Sequence, residues 1–272
     1  MSKVYDMTNL DLQNLPDSKC AIIPLGSLEQ HGNHLPVSTD SIIAEFLAEN
    51  VAKRIHAISL PVLTFGISFE HEPMFNISLS HNTFSLVIKE ICISLLKFGI
   101  KDIIILNSHH GNMGALHYVA QDVTNYFFSN SSDDIKNYGR LENLNEYLKK
   151  DKGINFINYW HLMEKFDHAG EIETSIILAI KPDLVKLDRV THEPVKYFDM
   201  DTVENEMKTS KEVKVAYSSV MNVPGSFRKI TGSGIWGDPI KGSPEKGKRL
   251  LKDLIVKIEK TIDDFKRVKD DN

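Results

Sequence analysis

Four residues able to bind a cation fall within a dozen positions of one another. In the run Ile22–Ile23–Pro24–Leu25–Gly26–Ser27–Leu28–Glu29–Gln30–His31–Gly32–Asn33–His34–Leu35–Pro36, closed by Thr39–Asp40, a β-branched apolar segment feeds a turn that presents Glu29, His31, His34 and Asp40. Carboxylate oxygens and imidazole nitrogens grouped where a strand ends are the donor set of a metal site. At extended spacing Glu29 and His31 point to the same side, because side chains alternate with period two. Two later blocks carry further donors: Asn107–Ser108–His109–His110–Gly111–Asn112, and Asp167–His168–Ala169–Gly170–Glu171–Ile172–Glu173–Thr174.

These residues need elements to hold them, and the chain alternates strand-like and helix-like segments as a mainly parallel sheet covered on both faces requires. Cys20–Leu25 is the first strand. Asp40–Ile55 has apolar residues at helical spacing with Thr39 as its N-cap, so this helix begins at the site. Ala57–Thr64 reads as the next strand and Phe65–Ser80 as a polar loop carrying Ser68, Glu70, His71 and Glu72. His81–Phe98 is a helix stopped by Gly99, Lys101–Leu106 a central Ile-rich strand, and Met113–Phe128 a helix. Residues 129–151 are rich in Ser, Asn, Asp and Lys and read as an exposed insertion, after which Ile154–Trp160 resumes as a strand. A helix follows the Asp167–Thr174 block with an apolar stripe at Ile176, Ile177, Ile180 and Leu184; residues 185–221 have no clear period; Gly225–Pro244 is a Gly-rich loop. Ser243 caps a last helix, Pro244–Phe265, with Pro at its first position. The expectation is one α/β domain over residues 1–272.

Composition sets the function class. The chain has 272 residues, 42% hydrophobic and 25% charged, with a formal net charge of −5. That balance gives no basic footprint for a nucleic-acid backbone and favours small-molecule chemistry. Cys20 and Cys92 lie in apolar contexts without metal-binding spacing and read as reduced core thiols. Neither a signal-peptide core nor a membrane-length apolar run is present, so the expected location is the cytoplasm and no membrane partner is expected.

The Glu29–Gln30–His31–Gly32–Asn33–His34–Leu35–Pro36 motif with Asp40, the His109–His110–Gly111–Asn112 block, the His168–Ala169–Gly170–Glu171–Ile172–Glu173–Thr174–Ser175 block and the Gly237–Asp238–Pro239 to Gly247 segment resemble the creatininase (creatinine amidohydrolase) family. The resemblance implies a three-layer α/β/α sandwich with a mainly parallel sheet, a two-metal hydrolytic site and a homohexamer. The residues argue for two ions on their own account. Glu29, Asp40 and Glu173 with His31 and His109 carry more negative charge than one structural Zn²⁺ collects, whereas two divalent ions (Zn, Mn or Fe) balance it. The family pattern then makes Asp40 the bridge, with Glu29 and His109 on one ion and His31 and Glu173 on the other. Hydroxide activated by the ions would be the nucleophile.

Neighbours at a strand end face opposite ways, so only one of His109 and His110 is a ligand, and His109 is chosen. His168 lies just before the helix of Glu173 and is placed in the catalytic set with it, as proton shuttle. His34, Ser68, His71, His110 and Trp236 are expected in the substrate pocket, and Arg228, Lys229 and the Gly232–Gly237 loop are candidate donors for a phosphate. Creatininase itself has a carboxylate where this chain has Gly111, which argues against creatinine as substrate. The expected activity is hydrolysis of a non-peptide C–N bond, a cyclic amide or a formamide. The alternatives are deformylation of a formamido-pyrimidine nucleotide, hydrolysis of a cyclic ketone, and metal binding without catalysis.

Overall fold

The computed structural model of the chain describes residues 3–15, 20–130, 153–191 and 224–270. Most of the expected 129–151 insertion and of the 185–221 segment, from 131 to 152 and from 192 to 223, lies outside them.

Among the described residues four parallel strands form the centre: β1 (Cys20–Leu25), β2 (Ile58–Ser59), β3 (Asp102–Asn107) and β4 (Gly153–Asn158), in the order β2-β1-β3-β4. Ile22 pairs with Ile104, and Ile104 in turn with Asn155. The helices are α1 (Asn9–Gln13), α2 (Thr39–Arg54), α3 (His81–Phe98), α4 (Met113–Asn130), α5 (Glu171–Ile180), α6 (Ser226–Ile230) and α7 (Pro244–Asp270).

Strands β1 and β3 are nearly continuous in apolar residues because both faces of the sheet are buried. Alternation sends Ile22, Ile104 and Leu106 to one face, against Leu47 and Val51 of α2, Ile176 of α5 and Leu254 and Ile258 of α7. Ala21, Ile23, Leu25, Ile103 and Ile105 go to the other, against Phe84, Ile88 and Cys92 of α3 and Leu116 and Val119 of α4. The result is the expected α/β/α sandwich. Each fully buried Ile or Leu contributes about 1.5–3 kcal/mol, so this double layer is the main source of stability. Both cysteines are buried thiols, and burial pushes the Cys92 thiol up to about 12.

Helices α5 and α7 pack especially closely. A Cβ on Gly247 would lie 1.9 Å from the Ser175 carbonyl oxygen, so only glycine permits this approach.

The elements depart from the sequence reading where a local residue overrides a pattern. The strand expected over Ala57–Thr64 is only Ile58–Ser59, because Pro61 has no N–H for a ladder; Leu60 N and Leu63 N still donate to Ile22 O and Pro24 O, at 2.9 and 3.0 Å. On its outer side β2 meets a parallel bridge, Lys3 to Ser59. Helix α5 ends at Ile180, since Pro182 cannot extend it, and Leu184 falls in a separate 3-10 turn, 44% exposed. At the start of α2 the cap position belongs to Ser38, and Thr39 Oγ1 donates to Pro36 O at 2.7 Å. A short helix, α6, sits in the Gly-rich stretch.

Every strand runs toward the same end of the sheet. The chain leaving β1 at Leu25, β3 at Asn107 and β4 at Asn158 therefore enters loops over one edge, where open parallel sheets bind their ligands. Asn107 ties these loops together: its Nδ2 donates to His109 O and to Asn158 Oδ1, both at 2.9 Å, and its Oδ1 accepts from His109 N.

Candidate metal centre

Over this edge the structure gathers the three blocks. Glu29 leaves β1 in an extended segment that bridges Asn76, and its N–H donates to Val37 O at 3.0 Å. Asp40 projects from the first turn of α2, with Ser27 Oγ donating to its Oδ2 at 2.6 Å. His109 Nδ1 lies 3.2 Å from Glu29 Oε2 and 3.1 Å from Asp40 Oδ2. His31 Nε2 lies 3.4 Å from Asp40 Oδ1 and 3.6 Å from Glu173 Oε2. Two triads share Asp40, Glu29/Asp40/His109 and His31/Asp40/Glu173, each with donor atoms within 4.8 Å of one another and all five residues buried; two further groups at the same spacing, Glu29/His31/His168 and Glu29/Glu70/His71, share Glu29.

The opposite nitrogen of each ring fixes its tautomer. His109 Nε2 is 2.6 Å from the Ile67 carbonyl, which only accepts, so Nε2 carries the hydrogen and Nδ1 turns a lone pair toward the carboxylates. His31 Nδ1 likewise donates to Glu29 O at 3.1 Å and leaves Nε2 bare. A lone pair aimed at a carboxylate requires a positive charge between them. Without a metal that charge is a proton. Burial opposes charging His31, but Asp40 and Glu173 outweigh it and lift its pKa to about 10; His109 is raised in the same way, against burial, by Glu29 and Asp40. Glu173 is pushed up to about 8 by burial and the Asp40 charge. Glu29 Oε2 and His31 Nε2 have no hydrogen-bond partner although both are buried. Orphaned donors of this kind, alternating with carboxylates, fit divalent cations.

Glu173 is held from three directions. The N–H of Ala169, a residue at φ +53°, donates to its Oε2 at 2.6 Å. Asp167 accepts from the backbone N–H groups of Ile172 and Glu173, at 2.7 and 3.2 Å, and so satisfies the open start of α5. The Tyr159 hydroxyl, kept protonated by burial and by the Glu173 and Asp40 charges, bonds Glu173 as well. Glu171, two positions away, points outward to Lys246.

A cavity of about 50 Å³ opens over the triads, lined by Glu29, Asp40, His109 and Glu173 together with His71, His110, His168 and Trp236. His168 stacks over His31 with ring centroids 4.2 Å apart, its Nδ1 3.9 Å from Glu29 Oε1. His110 belongs to neither triad and packs on Trp160. Two expected pocket residues lie outside the lining. His34 Nε2 pairs with Thr174 Oγ1 at 3.0 Å, tying the first loop to α5, and burial takes its pKa down to about 4. Ser68 is buried beneath the loop, its N–H donating to Ser78 Oγ. Arg228 is exposed.

Glu70, which the sequence places in the polar Phe65–Ser80 loop without a role, also lines the cavity. It is 1% exposed, burial raises its pKa to about 7, and its Oε2 has no partner. A Cβ on Gly111 would fall 2.7 Å from Glu70 Oε1 and 2.0 Å from Ile67 O, so Glu70 occupies space that any side chain at 111 would need. The sequence signal was its place beside His71 in that loop.

Comparison with known proteins bears on this centre. A creatinine amidohydrolase of Pseudomonas putida is 26% identical over 200 residues, 65% of this chain and 70% of that protein. A mycofactocin precursor peptide peptidase of Mycolicibacterium smegmatis is 25% identical over 244 residues, 86% of this chain and 80% of that one. A solved structure described as Creatininase Mn superposes with a TM-score of 0.71 at 21% identity, covering 96% of this chain and 98% of its own, which shows the same fold. The creatininase family profile, described as creatinine amidohydrolase, matches residues 5–262. With that span matched and the fold shared, the chain belongs to the creatininase family of hydrolases.

Proposed function

We propose that this chain is an amidohydrolase dependent on two divalent ions (Zn, Mn or Fe) that cleaves a non-peptide C–N bond, a cyclic amide or a formamide. The observation that carries the reading is Asp40, whose two oxygens face different triads at 3.1 and 3.4 Å from the two imidazoles. Glu29 and His109 would hold one ion with Asp40, and His31 and Glu173 the other. Bound there, such ions polarise a carbonyl and bring the pKa of water from about 15.7 to about 7.

The protein's own part is to orient and to move protons. His168 is neutral, since burial and the neighbouring His31 and His71 hold its pKa well below the usual range. A neutral ring over the cavity can accept a proton at a ring nitrogen and return it to the leaving amine. Phe166, Phe227, Trp160 and Trp236 wall the cavity and limit water. The cavity suits a small substrate. Cytoplasmic residence, a single domain and a hexamer belong to the same proposal and are supported by composition and family resemblance.

A second reading has an observation of its own. A trough of about 1150 Å³ along α7 shares Phe166, Asp167 and Trp236 with the cavity, room for an extended amide such as a peptide end. A relative matched over 86% of this chain is described as a peptide peptidase, and one from Methanococcus voltae, 32% identical over 47% of each chain, as a formylaminopyrimidine nucleotide deformylase. The test is turnover of metal-reconstituted protein on creatinine, simple lactams, formamides including a formamido-pyrimidine nucleotide, and short peptides, with Zn²⁺, Mn²⁺ and Fe²⁺ each supplied. Turnover of a lactam or formamide supports the first reading, cleavage of peptides alone replaces it with the second, and no turnover with any ion refutes both.

A further inference from the structure

Gln30 lies inside the motif that carries the centre, yet its side chain reaches neither triad. Its carboxamide is held in one orientation. The Gly32 N–H donates to Oε1 at 3.0 Å, which identifies the oxygen, and the 232–234 turn closes so tightly over it that a Cβ on Gly234 would lie 1.8 Å from Oε1. Nε2 is therefore the donor end, 2.9 Å from His71 Nδ1 and 3.1 Å from His168 Nε2. A ring nitrogen that accepts from an amide carries no hydrogen, so the hydrogen of His71 sits on Nε2. That Nε2 lies 3.1 Å from Glu29 Oε1. His71 is 3% exposed and held between Phe227 and His168, at centroid distances of 4.5 and 4.9 Å, so its ring is fixed in place. Oε1 of Glu29 is thereby engaged, and Oε2, buried and without a hydrogen-bond partner, faces His109 and Asp40.

We infer that Gln30 is a positioning residue: by pinning the His71 hydrogen on Nε2 it aims the free Oε2 of Glu29 at the cation of the first triad. The inference rests on the two-metal reading. It also assigns His71 a task other than meeting substrate, although the ring lines the cavity. Outer partners of this kind typically change metal affinity by about 10–100-fold.

The experiment uses the zinc-loaded full-length chain labelled with ¹⁵N-histidine, and zinc affinity measured by chelator competition. In the wild type, His71 shows a bare Nδ1 and a protonated Nε2. In Gln30→Glu, which keeps the shape and the acceptor for Gly32 but cannot donate, the hydrogen appears on Nδ1. Gln30→Met weakens zinc binding by about 10–100-fold. His71→Gln places an amide donor near the former Nε2 position, so adding Gln30→Met to His71→Gln produces no further loss. A wild-type His71 protonated on Nδ1 alone, a Gln30→Met chain that binds zinc as tightly as wild type, or the same Gln30→Met penalty with and without His71 overturns the inference while leaving the metal reading intact. A wild-type chain that binds no zinc overturns both.

Discussion

Adding one methyl group at Gly111 probes how tightly the centre is built. The new Cβ would stand 2.0 Å from Ile67 O, 2.6 Å from His109 Nε2 and 2.7 Å from Glu70 Oε1, all under the 3.0 Å below which real Cβ contacts essentially do not occur. One neighbour is backbone and another is a buried ring already committed at both nitrogens, so neither yields cheaply. Overpacking of this sort typically costs about 1–3 kcal/mol. For a chain of this size each kcal/mol lowers the melting temperature by about 2–4 °C, so Gly111→Ala is expected to melt several degrees below wild type. The damage is directional. The Ile67 carbonyl is the acceptor that holds the His109 hydrogen on Nε2, and pushing it aside releases Nδ1 from its aim at Glu29 and Asp40. Zinc affinity should fall by about 10–100-fold beyond what the stability change accounts for. Thermal melts of the metal-free chain with chelator competition for zinc measure both. A Gly111→Ala chain with the wild-type melting point and wild-type zinc affinity would refute the packing argument.

Asp40→Ala should lose both ions at once, since one carboxylate serves both triads; metal analysis of the purified variant showing either ion at wild-type occupancy argues against the shared role. His168→Ala should keep the metals and lose turnover by about 10²–10⁴-fold, the usual contribution of a general acid–base group; a drop below about tenfold, or loss of metal, reassigns the residue. For His34, the folded pKa near 4 lies below the ordinary 6.5, so the unfolded chain binds the extra proton first and stability falls as pH drops from 6.5 toward 4. At 1.36 kcal/mol per pH unit the loss is at most about 3 kcal/mol, and denaturant midpoints of metal-free His34→Gln should decline less steeply over that window; parallel curves count against it.

The regular parts of the fold were legible because a single signal governed each. β1 and the helix from His81 to Phe98 were read with their observed ends, the latter because Gly99, at φ +100°, stops it. The five triad residues could be named because the motifs that resemble the creatininase family pick them out, at strand ends and helix starts. What sequence could not give were contacts between segments far apart in the chain. Glu70 meets Gly111 and Gln30 meets His71 across 41 positions each, and no local pattern predicts either. His34 looked like a pocket residue by type, whereas Thr174, 140 positions on, claims its Nε2. Pro61 stands in plain view in the sequence, but its missing N–H overrides the strand pattern of the apolar run around it.

The shortness of β2 has a bearing on how this protein behaves in a crowded solution. A sheet edge is a row of unpaired amides and carbonyls, and a long flat one recruits strands from other chains. Here the edge beside β1 consists of two paired residues, is interrupted by Pro61, and is met on its outer side by the Lys3 backbone, whose ammonium pairs with Glu49. Intermolecular strand addition finds almost no template there. Pro61 thus works as an insulator at the margin of an otherwise sticky, Ile-rich sheet, and replacing it with a β-branched residue would trade that insulation for a longer ladder open to aggregation.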